Sequence, residues 1–140
     1  MHSIHTRVSF EAAHRLYNVD TYSKECRENI HGHSYKVDVV VGRDELNKSG
    51  MVMDFKKLKT ILKELEEMYD HSCILSFDDP LLEPIKANCK KVITASSNPT
   101  AEWMAEKFFN WIQDHLVDET YVVSVAVQET ENNIAIYERG

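Results

Sequence analysis

His31-Gly32-His33 is the segment of this chain best suited to chemistry. In an extended strand successive side chains alternate between faces, so both imidazoles point one way and Gly32 the other. A third histidine, His14, ends the stretch Phe10-Glu11-Ala12-Ala13-His14, which continues into Arg15-Leu16. If the two stretches pair as strands, all three rings can share one face. Three neutral imidazoles can hold a divalent ion and leave a fourth tetrahedral position open, the arrangement of a catalytic rather than a structural zinc site. The alternative is three unrelated histidines that are exposed or hydrogen-bonded, as single histidines commonly are. Spacing by itself leaves both readings open. His2, His5 and His115 have no such partners and carry no metal reading.

The elements that must position these rings follow from hydrophobic periodicity. Residues 3–12 place Ile4, Thr6, Val8 and Phe10 on one side and read as a strand. Residues 31–42 form a stronger one, with Tyr35, Val37, Val39 and Val41 on one face. Between them, residues 17–30 are polar and irregular, too long for a tight turn, and loops of that kind tend to carry binding groups. Asp54 is placed to cap a helix running to about Tyr69, with Phe55, Leu58, Ile61, Leu62, Leu65 and Met68 as its apolar stripe. A second helix is expected from Pro99, with Asn98 as its cap, burying Met104, Phe108, Trp111 or Ile112, and Leu116. Tyr121–Glu129 and Ile134–Glu138 read as two closing strands. The expected fold is therefore α+β, a four-stranded antiparallel sheet with two helices on one face. Its edge strands would invite pairing with other subunits.

Bulk properties narrow the function classes. The chain has 140 residues, 43% of them hydrophobic and 28% charged, which suits a single domain over residues 1–140. The formal charge of −7 opposes binding to phosphate backbones, so no nucleic-acid partner is expected. No apolar run approaches the roughly 20 residues needed to cross a bilayer, so no membrane partner is expected either. Met1-His2-Ser3-Ile4-His5 lacks the apolar stretch of a secretory signal, and a cytoplasmic location is expected. Cys26, Cys73 and Cys89 are an odd, irregular set and read as free thiols.

Several motifs in order along the chain resemble the 6-pyruvoyl/6-carboxy-tetrahydropterin synthases. These are Phe10-Glu11-Ala12-Ala13-His14-Arg15-Leu16, Cys26 ahead of His31-Gly32-His33, and Gly50-Met51-Val52-Met53-Asp54-Phe55. Asp70-His71, Pro99-Thr100-Ala101-Glu102 and Glu129-Thr130-Glu131-Asn132-Asn133-Ile134 continue the resemblance over nearly the whole chain. It implies a tunnelling fold, in which three subunits join their sheets into a barrel and two trimers stack as a hexamer, with active sites between subunits. Closure of that kind would remove the exposed edges.

The resemblance also implies roles. Zinc on His14, His31 and His33 would bind side-chain hydroxyls of 7,8-dihydroneopterin triphosphate and acidify the adjacent C–H. Cys26 matches the general base, a role that needs neighbouring positive charge to favour its thiolate; its charged neighbours Lys24 and Arg27 disfavour the burial of an inert loop thiol. Asp70 and His71 match the pair completing the proton relay. Glu129 matches the pterin anchor, whose carboxylate can accept two parallel N–H bonds. It shares strand parity with Tyr121, Val123, Val125 and Val127, so its carboxylate, if buried, needs a partner. Thr100 and Glu102 match further pterin contacts, and Ala101 stands where some members have Thr. Lys90, Lys91 and Arg27 are candidates for the triphosphate.

One departure affects the reaction. Four residues separate Cys26 from His31, one more than in typical bacterial carboxy-forming members and one fewer than in animal pyruvoyl-forming ones. Glu28 stands as Glu-x-x-His-Gly-His, resembling a subgroup in which glutamate replaces the cysteine and dihydroneopterin is cleaved to 6-hydroxymethyl-7,8-dihydropterin for folate synthesis. The products implied are thus 6-carboxy-5,6,7,8-tetrahydropterin, a precursor of queuosine, or 6-pyruvoyl-tetrahydropterin, with the folate-type cleavage as the alternative. Glu28 could equally point to solvent. A non-catalytic zinc or pterin-binding module is the alternative from another class.

Overall fold

Strand β1 (His2–His14) and strand β2 (His31–Arg43) form a continuous antiparallel ladder, from His2 opposite Arg43 to His14 opposite His31. A computed structural model describes residues 1–17, 19 and 23–140. The short helix α1 (Lys24–Glu28) precedes β2, with Ser23 accepting from the Cys26 N–H as cap. It replaces part of the irregular loop expected over 17–30; residues 18 and 20–22 lie outside the described residues. Helix α2 (Phe55–Tyr69) starts where expected, its cap Asp54 accepting from the Lys56 N–H at 2.8 Å.

The rest of the chain departs from a four-stranded sheet. Strand β3 (Ser72–Ser76), helix α3 (Leu82–Asn88) and strand β4 (Val92–Ala95) lie where the periodicity assigns no element. Helix α4 (Ala101–His115) and strands β5 (Tyr121–Thr130) and β6 (Asn133–Glu138) complete the fold. The sheet has six strands in the order β4-β3-β1-β2-β5-β6. It is mixed, because β3 runs parallel to both β1 and β4. The architecture is α+β as expected; the wholly antiparallel, four-stranded sheet is not. Short strands covered on both faces show no period-two alternation, and Ser72, Ile74, Leu75 and Ser76 are all buried.

The inward row of β1 ends Phe10, Ala12, His14, and that of β2 runs from His31 and His33 to Tyr35, Val37, Val39 and Val41. Helices α2 and α4 cover this face with Leu58, Leu62, Leu65, Met104, Phe108 and Ile112. Phe10 stacks on Tyr35 at 5.1 Å and meets Phe108 edge-on at 5.9 Å. The α2 stripe lies one position further round than the periodicity places it. Tyr69 is buried, while Phe55 and Met68 are exposed. Helix α4 is capped by Thr100, which accepts from the Trp103 N–H, so Pro99 and Asn98 precede it rather than open it.

Strand β5 carries two irregularities that reset parity. Val40 faces Ser124 but Val41 faces Val122, leaving Val123 as an extra residue. The buried row is therefore Val122, Val125, Val127, in place of one through Tyr121 and Val123. On its other side β5 bulges again: Gln128 faces Ile134 and Thr130 faces Asn133, so Glu129 is the extra residue. Such bulges can re-aim a side chain.

Removing a fully buried ring from this packing should be costly. Phe108→Ala is expected to lower stability by about 3–5 kcal/mol, whereas Met68→Ala should cost less than about 1 kcal/mol. Urea unfolding of both variants checks this. Equal losses would restore Met68 to the core.

Candidate functional site

The pairing that places His14 opposite His31 and Ala12 opposite His33 sets three imidazoles at the end of the covered face. Their ligand nitrogens all lie within 4.8 Å of one another. Ring centroids are 4.7 Å apart for His14–His31, 5.1 Å for His14–His33 and 5.0 Å for His31–His33. His14 is 1% exposed and the other two are half-buried.

The hydrogen bonds aim the rings. A carbonyl can only accept, so His14 Nδ1 donates to Pro99 O at 2.8 Å and His31 Nδ1 donates to Asn29 O at 3.0 Å. The neutral rings then present Nε2 lone pairs, and the two Nε2 atoms stand 3.1 Å apart. Two lone pairs at that distance repel unless a cation lies between them. A shared proton is disfavoured because burial pushes the His14 pKa down to about 4. His33 is also lowered, chiefly by burial, with the Glu129 carboxylate opposing that shift. His33 Nε2 is buried with no hydrogen-bond partner among the described residues. An orphaned nitrogen beside two facing lone pairs is a donor set fitted to a metal ion. Carbonyl acceptors behind two of the rings supply the support that metal-bound imidazoles usually have.

Glu129 reaches the same centre. Its Oε1 is 3.4 Å from His14 Nε2 and 3.7 Å from His33 Nε2. Beyond it, Ala101, Glu102, Asn133, Ile134 and Ala135 line an open pocket. Thr100, next to this pocket in sequence, already spends its hydroxyl as the cap of α4. Tyr35, which the periodicity assigns only to the core, places its hydroxyl 3.3 Å from His14 Nδ1. Burial raises the pKa of that phenol, so it stays protonated.

Other candidates stand apart. Asp70 caps the C-terminus of α2, accepts from the Glu11 N–H at 2.8 Å and accepts from His71 Nδ1 at 2.7 Å. These bonds hold its carboxyl below the usual carboxylate range. His71 adopts φ +62°, a left-handed conformation rare outside glycine, and its N–H donates to Glu11 O at 2.6 Å. Its ring is exposed and borders a groove whose lining includes Glu11, Ala13, Gly32 and Ser34, which face away from the helices, together with Ala12, His33 and Ser72. Asp70 and His71 are thus brought together with each other, but His71 lies on the outer face of the sheet. Cys26 is half-buried on α1, and Glu28 on the same helix is exposed with no side-chain partner among the described residues. Lys91 donates to Glu67 O at 2.6 Å and Asp70 O at 2.7 Å, so its ammonium is committed to the end of α2.

Facing imidazoles on an α+β scaffold, with a carboxylate beside them and an open pocket beyond, form a site that could hold a metal ion. The family model for 6-pyruvoyl tetrahydropterin synthase matches residues 3–140. The 6-carboxy-5,6,7,8-tetrahydropterin synthase of Aquifex aeolicus is 34% identical, the match covering 91% of this chain and 92% of that one. The enzyme of the same name from Rickettsia conorii is 33% identical, over 90% and 92%. The structure of Caenorhabditis elegans 6-pyruvoyl tetrahydropterin synthase superposes with a TM-score of 0.72 and 26% identity, covering 99% of this chain and 95% of that one. The chain belongs to the 6-pyruvoyl tetrahydropterin synthase family, a family of pterin synthases. No helix among the described residues is long and apolar enough to cross a membrane.

The depressed His14 pKa fixes the sign of a pH effect on the metal-stripped protein. Above pH 6.5 the ring is neutral folded or unfolded; below it the unfolded chain gains a proton that the folded chain refuses until about pH 4. Stability of the chelator-treated protein should therefore fall by about 3 kcal/mol between those values from this group. In His14→Gln, urea midpoints from pH 7 to 4.5 should follow a flatter slope; an unchanged slope contradicts the assignment.

Proposed function

We propose that this protein is a zinc-dependent pterin synthase that converts 7,8-dihydroneopterin triphosphate to 6-carboxy-5,6,7,8-tetrahydropterin. The observation that carries the proposal is the convergence of His14, His31 and His33 beside Glu129, whose carboxylate also lines an open pocket. The carboxy product is preferred to the pyruvoyl one because the curated relatives at 30–34% identity carry the carboxy name.

Zinc on the three histidines would supply a Lewis acid for the side-chain oxygens of the substrate and lower the pKa of the neighbouring C–H. Cys26, as a thiolate, takes the carbon-bound proton. Asp70 accepts a hydrogen bond from the His71 Nδ1–H, which fixes the tautomer and leaves Nε2 free to exchange a proton with substrate. Glu129 accepts two N–H bonds from the amino-amide edge of the pterin and, in exchange, loses its position against the imidazoles. Its place as the extra residue of a bulge aims it at the pocket.

His71 borders the outward groove, which His33 also lines but His14 and His31 do not, and it is not part of the cluster of three imidazoles. We infer that subunits join through their sheet edges into trimers, stacked as hexamers, and that His71 of one serves the histidine centre of another. The exposed Ile134 and Ile136 on the edge strand β6 support an edge covered in the assembly.

A second reading rests on Glu28, which is exposed, free of side-chain partners among the described residues and two residues from Cys26. A carboxylate there could take a hydroxyl proton and promote retro-aldol cleavage of dihydroneopterin to 6-hydroxymethyl-7,8-dihydropterin.

Zinc-loaded protein given dihydroneopterin triphosphate should yield the carboxy product by mass spectrometry. Cys26→Ala should lower kcat by about 10²–10⁴-fold. Bound metal with no turnover would make the protein a binding module instead. Hydroxymethyl-dihydropterin formed by wild type and lost in Glu28→Ala would establish the second activity.

A further inference from the structure

Nothing in the proposed chemistry uses a buried ion pair that directly follows His14, the pair of Arg15 with Asp79. Arg15 directly follows His14, and its Nε donates to Asp79 Oδ2 at 2.8 Å while a terminal nitrogen donates to Oδ1 at 2.5 Å. The Asp79 side chain is 0% exposed and that of Arg15 is 11% exposed. The Tyr17 ring lies 5.2 Å from the guanidinium carbon. Asp79 is itself fixed in the turn between β3 and α3. Its Oδ1 accepts from the Leu81 N–H at 2.8 Å, its N–H donates to Ser76 O at 3.0 Å and its carbonyl accepts from the Leu82 N–H at 3.0 Å.

On the other side of Arg15 the path continues to the candidate base. Leu16 is buried, and its N–H donates to Cys26 O at 3.2 Å. A bidentate guanidinium–carboxylate pair has one good geometry, and removing either partner leaves a charge buried without compensation. His14 itself is held independently, by its ladder partners His31 and Ile74 and by Pro99 O. The pair therefore controls where the chain goes after His14, not where His14 sits.

We propose that Arg15 and Asp79 form a positioning clamp that sets the placement of Cys26 relative to the His14–His31–His33 centre. The proposal rests on the reading of Cys26 as the base, but its geometric part can be read without turnover. Arg15 and Asp79 touch neither substrate nor metal in this scheme.

The test uses full-length, zinc-loaded Arg15→Lys, Arg15→Met and Asp79→Asn. It follows zinc stoichiometry, kcat, KM and the iodoacetamide alkylation rate of Cys26, resolved from Cys73 and Cys89 by peptide mass spectrometry. Zinc content should match wild type and KM should stay within about twofold, while kcat falls about 10- to 100-fold, as displacement of a reacting group by an ångström would cause. The Cys26 alkylation rate should change by at least about threefold, and Arg15→Lys, which keeps the charge but not the fork, should lose less than Arg15→Met. Arg7→Met, which breaks an exposed bidentate pair with Asp38, should leave every readout unchanged. A wild-type Cys26 alkylation rate in Arg15→Lys and Arg15→Met overturns the clamp, even if Asp79→Asn fails to fold. Loss of zinc in step with kcat also overturns it, because the pair would then be supporting the metal ligands. Should wild type form no pterin product, the reading of Cys26 as base fails, and the alkylation rates still decide the clamp.

Discussion

His14 lies opposite His31 in the β1–β2 ladder, and the rest of the site follows from that register. Side chains on a strand have a period of two, so a one-residue slip would send His31 and His33 to the opposite face. The register is pinned from the other end of the same strands, where Phe10, Tyr35, Val37, Val39 and Val41 must all face α2 and α4. The histidine cluster is thus an extension of the core's own alternation. It occupies the last inward positions, at the end where the apolar row gives way to imidazoles.

That location has an energetic consequence. Carrying polar nitrogens into a buried row is unfavourable unless each finds a partner. The loop before α4 supplies one through Pro99 O and the segment before β2 another through Asn29 O. Those bonds use the Nδ1 atoms and leave the Nε2 atoms of His14 and His31 facing one another, with His33 Nε2 lacking a hydrogen-bond partner among the described residues. Among the described residues the centre keeps residual polarity that a ligand could satisfy. The Glu129 carboxylate beside it, carried by a bulged position, places negative charge at the edge of the same centre.

The parts legible in the sequence were those governed by a single periodicity. His31, Gly32 and His33 announce their faces by alternation, and Asp54 announces the start of α2 by its capping chemistry. Elements that depend on tertiary cover were not legible. Strands β3 and β4 are four or five residues long and paired in parallel, so no alternation marks them. The parity of β5 fails at Val123 because a bulge leaves no trace in a run of valines. Thr100, two residues after the expected Asn98, caps α4, a shift that composition does not reveal. The site residues named from the resemblance fall in two places: the three imidazoles gather beside Glu129, and His71 stands outside that cluster in a groove that His33 also borders. Arg15 and Asp79 gave no signal, since their pairing joins positions 64 apart in the chain.

The central claim is that three imidazole nitrogens form one metal centre with a position left open to substrate. X-ray absorption at the zinc edge of the loaded, substrate-free protein tests it most directly. Three nitrogen ligands at about 2.0–2.1 Å with an imidazole scattering pattern, plus one light oxygen-type ligand, are the expected result. Two or fewer imidazoles, or a sulfur ligand at about 2.3 Å from a cysteine, would contradict it.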